Sequence, residues 1–370
     1  MRNRSPDYTI MLIVFLLVMF GMVMVFSASY YSNQNNGQDG LFFFRKQIQG
    51  AVIGFAAMII LSFVDYHIYQ SRFITVGAVL LSTALLVAVL FTGEDKFGAK
   101  RWLDLGFVSF QPSEIARISI VFFAASVLSK RFKYIKSYKI KDFFFGVWPV
   151  LFVAAIICTL IFVENLSMTL TVLAVIICML IAAGTSGKSL AAIMAGGIAV
   201  GAVGIAIEPF RVKRLMIFGN PWKDPSDTGY QLVQSLYALG SGGLLGVGLG
   251  NSKQKHLYLT FGESDFILSI IGEELGFLGI TVLLVIFIIL IWRCLMSALR
   301  APDAFGMLLG AGLTSIIAVQ VIMNVAVVTS SMPPTGVPLP FVSAGNTSLI
   351  VFMSAIGILL NISSRGKKIT

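Results

Sequence analysis

Apolar residues run along this chain in long blocks, separated by short polar segments. A helix needs roughly 20 mainly apolar residues to cross a bilayer, where only a helix or closed barrel satisfies its own backbone hydrogen bonds. Ten blocks have about that length: 9–28, 47–64, 73–92, 112–129, 143–163, 166–183, 190–207, 265–292, 304–328 and 346–363. The pattern predicts an all-α polytopic membrane protein with ten transmembrane helices, a single integral domain over residues 1–370 and no solenoid-type repeat. The first block follows Arg2 and Arg4 and ends at Ser27-Ala28-Ser29; its apolar stretch exceeds the ~7 to 15 residues of a cleavable signal core, so a retained helix is expected.

Composition agrees with this reading. The 370 residues are 57% hydrophobic and only 12% charged, where soluble domains carry about 25% charged residues, and mean hydropathy is +0.90. A water-soluble globule is excluded. The formal charge of +10 does not point to nucleic acid, because in a membrane protein its distribution carries the meaning. Ten spans put both termini on one side. Arg2, Arg4, the basic run Lys130, Arg131, Lys133, Lys136, Lys139 and Lys141, and Arg365, Lys367 and Lys368 mark that side as cytoplasmic, by retention of positive loops or by attraction to anionic lipid. Glu94, Asp95, Asp104, Glu208, Asp224, Asp227 and Glu263 fall on the opposite, outward side. Cys158, Cys178 and Cys294 lie in or beside apolar runs and read as packing residues, and neither His67 nor His256 has metal-ligand spacing to another histidine.

The candidate chemistry gathers in the long outward connection 208–264, where ordinary loops have about 4 to 6 residues. Arg211, Lys213 and Arg214 sit beside Leu215, Met216 and Phe218, an arrangement that suits either a lipid phosphate or snorkelling at a helix end. Residues 230–239 have helical spacing and suit a half-buried re-entrant or surface helix. Six glycines between 240 and 250 let the backbone approach a ligand or another helix, but lack the order of a Walker loop. Asp265 opens the next apolar block, either as a carboxylate favoured at a helix N-terminus or as a general base with a raised pKa. Glu273 and Glu274 lie two turns further on, inside the span, and need pairing, with Arg101 or Arg117 as candidates, or a catalytic reason. Upstream, Pro112 starts a helix whose first turn holds Glu114, with Arg117 one turn away at i,i+3 and Trp102 at interface depth. The last outward segment, 332–348, has four prolines and no charge, so it must be covered by protein or line a cavity if it dips into the membrane.

Six blocks in order carry a resemblance over nearly the whole chain. They are Ser5-Pro-Asp-Tyr with Met24-Val-Phe-Ser-Ala-Ser29; Lys100-Arg-Trp with Gln111-Pro-Ser-Glu114; Asn220-Pro-Trp-Lys-Asp-Pro225 with Gly229-Tyr-Gln-Leu; Gly248-Leu-Gly-Asn-Ser-Lys-Gln-Lys255; Ser264-Asp-Phe-Ile with Gly272-Glu-Glu-Leu-Gly276; and Thr335-Gly-Val-Pro-Leu-Pro-Phe341. Together they resemble the SEDS family (shape, elongation, division and sporulation) of bacterial cell-wall synthesis, nearer its division and sporulation types. The resemblance implies a peptidoglycan glycosyltransferase of the cytoplasmic membrane. It would polymerise lipid II on the outer face into undecaprenyl-pyrophosphate-linked glycan, with undecaprenyl pyrophosphate as the leaving group, and work with a class B penicillin-binding transpeptidase among membrane lipids. It implies Asp265 as the catalytic aspartate. The substrate-binding set expected beside it is Lys100, Arg101, Trp102, Gln111, Ser113, Glu114, Arg211, Arg214, Lys255 and Ser343, with Arg117, Glu273 and Glu274 structural, and with or without a divalent cation, magnesium or manganese. The rival readings are a lipid II flippase, suggested by the intramembrane acids, and a non-catalytic scaffold for the transpeptidase. The chain departs from the family pattern at Asn165, where an aspartate is usual, at Arg117 for lysine, and at Ser343-Ala-Gly-Asn-Thr-Ser348.

Overall fold

Each of the ten apolar blocks forms a helix. The computed structural model describes residues 5–35, 37, 39–96, 99–104, 109–135, 140–206, 209–225, 229–256 and 258–366. Arg2, Arg4, Lys136, Lys139, Lys367, Lys368, Glu208 and Asp227 lie outside the described residues, as do the side chains of Lys100, Lys141, Glu164 and Arg211. In chain order the helices are α1 (Tyr8–Asn35), α2 (Phe42–Phe63), α3 (Arg72–Thr92), α4 (Pro112–Lys130), the short α5 (Phe132–Ile135), α6 (Ile140–Glu164), α7 (Leu166–Ala182), α8 (Gly187–Ala206), α9 (Pro209–Phe218), α10 (Tyr230–Gly242), α11 (Ile267–Leu299), α12 (Ala304–Val328) and α13 (Asn346–Ser364). Among the described residues nine helices are long and apolar enough to span a bilayer. The exception among the ten blocks, α7, has 17 residues, about 26 Å of helix against a hydrocarbon core of about 30 Å. The chain is therefore a multi-pass membrane protein.

Helices α4, α12 and α13 form the interior, while α8 is exposed along its length. Contacts of α12 with α4, α7 and α11, and of α13 with α2, tie the bundle together. Large apolar side chains left on the surface, such as Ile53, Phe73, Val200 and Ile288, are suited to lipid. Both ends of the chain share one face, where the Asp7 amide donates to Ser363 Oγ at 3.1 Å and Asp7 pairs with Arg293 at 2.8 Å. On that face Asp65 pairs with Arg365 at 2.7 Å, and Asp303 caps α12 through Gly306 N.

Two features extend the sequence reading. The segment after α3 forms a small antiparallel sheet, β1 (Glu94–Lys96), β2 (Ala99–Asp104) and β3 (Ser109–Phe110), in the order β1-β2-β3. It sits over the ends of α3, α4 and α6. The second is a break in α11 at Gly276, whose φ of +70° leaves the helical region, a conformation open to glycine because it has no Cβ. Breaking a helix at membrane depth frees backbone groups that must be paired. The glycine-rich strand after α10 pairs them: Val247 N and Gly248 N donate to Glu273 O and Glu274 O, both at 3.0 Å, while Phe277 N and Leu278 N donate to Gly243 O and Leu244 O at 2.9 and 3.1 Å. A Cβ on Gly246 would collide with the Glu274 carbonyl. The glycine run thus approaches another helix, one of the two alternatives its sequence left open.

Candidate active site

The segment from Met332 to Gly345 carries Pro333, Pro334, Pro338 and Pro340, four residues without an N–H, so it cannot form a regular ladder. Its carbonyls take donors from side chains of three helices. Arg214 Nη1 on α9 reaches Pro334 O at 3.3 Å, Asn324 Nδ2 on α12 reaches Val337 O at 2.8 Å, Gln320 Nε2 on α12 reaches Pro338 O at 3.0 Å, and Gln47 Nε2 on α2 reaches Ser343 O at 3.2 Å. Ser343 Oγ donates to Ser264 O at 2.6 Å and accepts from Leu339 N at 2.7 Å, and Ala344 N donates to Glu263 O at 2.9 Å. These bonds lay the segment beside Asp265, where a Cβ on Gly336 would stand 3.0 Å from Asp265 Oδ2.

Asp265 lies two residues ahead of α11 rather than within it. It does not cap that helix: Phe266 holds the cap position with no side-chain bond, and no described residue donates a hydrogen bond to the Asp265 carboxylate. Part of its surface stays exposed, yet protein surrounds the carboxyl closely enough that burial pushes its pKa from 3.8 up to about 7. The positive charge of Arg101 pulls the other way, and Glu263 adds to the rise. Burial also raises Glu263. Arg214 lies close enough to Arg101 that, with burial as the larger cause, its guanidinium is pushed below its ordinary range. One carboxyl with a pKa near neutrality and two clustered guanidiniums thus meet at one site, brought by β2, α9 and the turn before α11.

Next to it, Arg101, Gln111, Ser113 and Asn165 line a cavity of about 20 Å³, room for about one water molecule. Ser113 Oγ is buried there with no hydrogen-bond partner among the described residues. Asn165 caps α7, its Oδ1 accepting from Met168 N at 3.0 Å. Trp102 is half-buried on β2, across the sheet from Glu94. A larger cavity of about 210 Å³ opens on the opposite face beside His67, Lys130 and Asp303. Asp303 is occupied there by Gly306 N, Tyr66 and His67, so that cavity is no rival to the site at Asp265.

Several expected site residues have their polar groups engaged inside the fold. Glu114, almost fully buried, pairs with Arg117 and accepts from Ser348 Oγ at 2.7 Å; Arg117 also binds Gln320. Lys255 is a correction too: its ammonium, 5% exposed, pairs with Glu274 at 3.0 Å and donates to Gly250 O at 2.6 Å, so its charge is spent inside the protein. Ser343 has its hydroxyl committed to backbone. The intramembrane acids are not paired with Arg101 or Arg117. Glu274 takes Lys255 and Ser27 Oγ, the latter at 2.8 Å, while Glu273 accepts from Ser252, Lys253 N at 2.9 Å and Gln254 N at 3.2 Å. Both therefore fasten the 250–255 loop to the break in α11. Gln47, Gln320 and Asn324 were not singled out from sequence. Gln320 and Asn324 did carry a signal, since both are neutral amides in the largely apolar α12 and such groups need partners; Gln47, beside Arg45, Lys46 and Gln49, did not stand out.

No group of three or more metal-ligating side chains occurs among the described residues. No ligand set for a divalent ion is assigned among them.

The family model described as "Cell cycle protein", FTSW_RODA_SPOVE, matches residues 8–368. A probable peptidoglycan glycosyltransferase FtsW of Geobacter sp. (strain M18) is 37% identical, over 98% of both chains. Stage V sporulation protein E of Bacillus subtilis (strain 168) is 36% identical, also over 98% of both. Among solved structures, a chain described under "Structural coordination of polymerization and crosslinking by a peptidoglycan synthase complex" superposes with a TM-score of 0.80 at 23% identity, covering 97% of this chain and 98% of that one. Thermus thermophilus rod shape determining protein RodA superposes with a TM-score of 0.70 at 23% identity, covering 98% and 99%.

Proposed function

The chain belongs to the FtsW, RodA and SpoVE family of cell cycle proteins, and from that premise we infer that it is a peptidoglycan glycosyltransferase that polymerises lipid II for division or sporulation cell-wall synthesis. The observation that carries the chemistry is the Asp265 carboxyl, held near a pKa of 7 with no hydrogen-bond donor on it among the described residues and with Arg101 close by, itself beside Arg214.

The acceptor sugar's 4-hydroxyl attacks the anomeric carbon of the donor. A C–O bond forms there, the bond from that carbon to the pyrophosphate oxygen breaks, and the undecaprenyl pyrophosphate leaves as an anion. Asp265 takes the hydroxyl proton, as a base whose pKa sits near the working pH. Arg101 and Arg214 stabilise the departing pyrophosphate, most effectively in a poorly hydrated site, with Lys100 and Arg211 as further candidates from the same two elements. A divalent cation would supply further positive charge to the same pyrophosphate.

Sidedness follows from charge: Lys130, Arg131, Lys133 and Arg365 lie with the termini, a positive-inside pattern that assigns the Asp265 face to the outside. A crosslinking transpeptidase of the class B penicillin-binding type is the partner we propose, supported by the likeness to a chain from a synthase complex. The flippase alternative drew on Glu273, Glu274 and Glu164; the first two carboxylates are taken up by the 250–255 loop and Lys255, and the Glu164 side chain lies outside the described residues.

The test is polymerisation of lipid II by the purified protein with magnesium or manganese, with and without the transpeptidase. Glycan ladders from the wild type and none from Asp265→Asn are expected. Ladders from both would discard the base but keep the enzyme, and no ladders under any condition would shift the reading to a flippase or scaffold.

A further inference from the structure

We propose that Asn324 is the positioning residue of the Asp265 site, one side-chain amide that suspends both the aspartate and the wall facing it. This rests on the glycosyltransferase reading for its role in the reaction, though not for its geometry.

Asn324 lies in α12 and is 1% exposed. Its Nδ2 donates to Asp265 O and to Val337 O, each at 2.8 Å. Both partners are carbonyls, which only accept, so the nitrogen must face them and the amide's orientation is not in doubt. Val337 follows Gly336, the residue whose Cβ position is 3.0 Å from Asp265 Oδ2. One nitrogen therefore sets the spacing between the carboxylate and the backbone opposite it. Among the described residues no other hydrogen bond joins residue 265 itself to the 332–345 segment: Ser343 and Ala344 hold Ser264 and Glu263. Gln320, one turn away on the same helix, holds Pro338 and makes the helix a two-rung support. The 332–345 segment has no N–H at its four prolines, so it relies on such donors.

The charged groups facing Asp265 are Arg101 from β2 and Glu263 from its own turn, with Arg214 from α9 beside Arg101. Neither α12 nor the 332–345 segment contributes a charged side chain. A change at Asn324 thus alters the enclosure of Asp265 without altering the charges around it. If Asn324 holds that enclosure, losing it admits water and the carboxyl relaxes toward its ordinary range. Simple loss of stability would not do this.

The decisive experiment compares melting temperature against pH in detergent for the wild type, Asp265→Asn, Asn324→Leu and the double variant. The pH dependence that Asp265→Asn removes reports the aspartate's titration and needs no activity. The upper end of that dependence, where the fall in stability stops, marks the folded carboxyl and is expected near pH 7 in the native background and at least about one unit lower with Asn324→Leu. Gln47→Leu, which loosens the far end of the same segment without touching Asp265, should leave that upper end unchanged. In the polymerisation assay Asn324→Leu should lower kcat about a hundredfold, the scale of a displacement of about 1 Å, with KM for lipid II changed less than about threefold. If Asn324→Leu does not fold, Asn324→Ala, which removes both donors without new bulk, takes its place. An unchanged upper end of the pH dependence, or a kcat equal to that of the wild type, overturns the proposal. A wild type that makes no glycan under any condition would instead overturn the enzymatic reading, and the melting comparison would still decide where Asn324 holds Asp265.

Discussion

Asp265 is pulled in two directions, by burial that favours its neutral form and by Arg101 that favours its charged form, and burial wins. Two consequences follow for pH. As a base it must be ionised, so the rate should rise with pH through about 7 and be about a hundredfold lower at pH 5 than at pH 8, measured as initial rates of lipid II consumption. Stability runs the other way. The folded carboxyl binds its proton up to about 7 and the unfolded one only to about 3.8, so this group's contribution is fully present below 3.8 and lost as pH rises through 7. Gly336→Ala would place a methyl 3.0 Å from Asp265 Oδ2; we expect at least a tenfold fall in kcat/KM, on the order of a small displacement at a reacting centre, with melting temperature nearly unchanged. A wild-type kcat/KM would show that the acceptor approaches Asp265 from another side.

At the scale of elements, the broken α11 and the glycine strand that pairs with it are one unit. The break puts the Glu273 and Glu274 side chains under the 250–255 loop, and the loop's amides and Lys255 satisfy them. A buried ion pair with one partner removed leaves an uncompensated charge, at a cost of about 3–5 kcal/mol. Glu274→Gln should therefore destabilise the protein by about that much in denaturation experiments, and adding Lys255→Met should recover a large part of the loss. If the double variant is as unstable as the single one, the pair is not what holds the loop. Gly276→Ala combines a φ of +70° with a close approach to the Gly246 backbone. It should cost about 2 kcal/mol or more, seen as poor accumulation in the membrane and a lowered melting temperature.

For the whole molecule, orientation and packing separate what each level of description can reach. Thr260→Cys, exposed beside the site, should react with a membrane-impermeant maleimide in intact cells, and Lys133→Cys only after lysis; the reverse pattern would invert the assigned sidedness. Hydrophobic length and the skew of basic residues were legible in the sequence because both are local sums along the chain, and so were the helix at 230–242 and the i,i+3 neighbours Glu114 and Arg117. Asp265 was legible as a residue, through its place in an ordered set of motifs, but its environment was not. The partners of Glu273, Glu274 and Lys255, the three-stranded sheet, the break at Gly276 and the amide supports from Gln47, Gln320 and Asn324 all join positions far apart in sequence, up to 298 residues for Gln47 and Gly345. The linear pattern shows that an intramembrane polar group needs a partner. Which group supplies it depends on how the helices pack, and that packing separates the carboxylates that hold the fold from the one left open beside the two arginines.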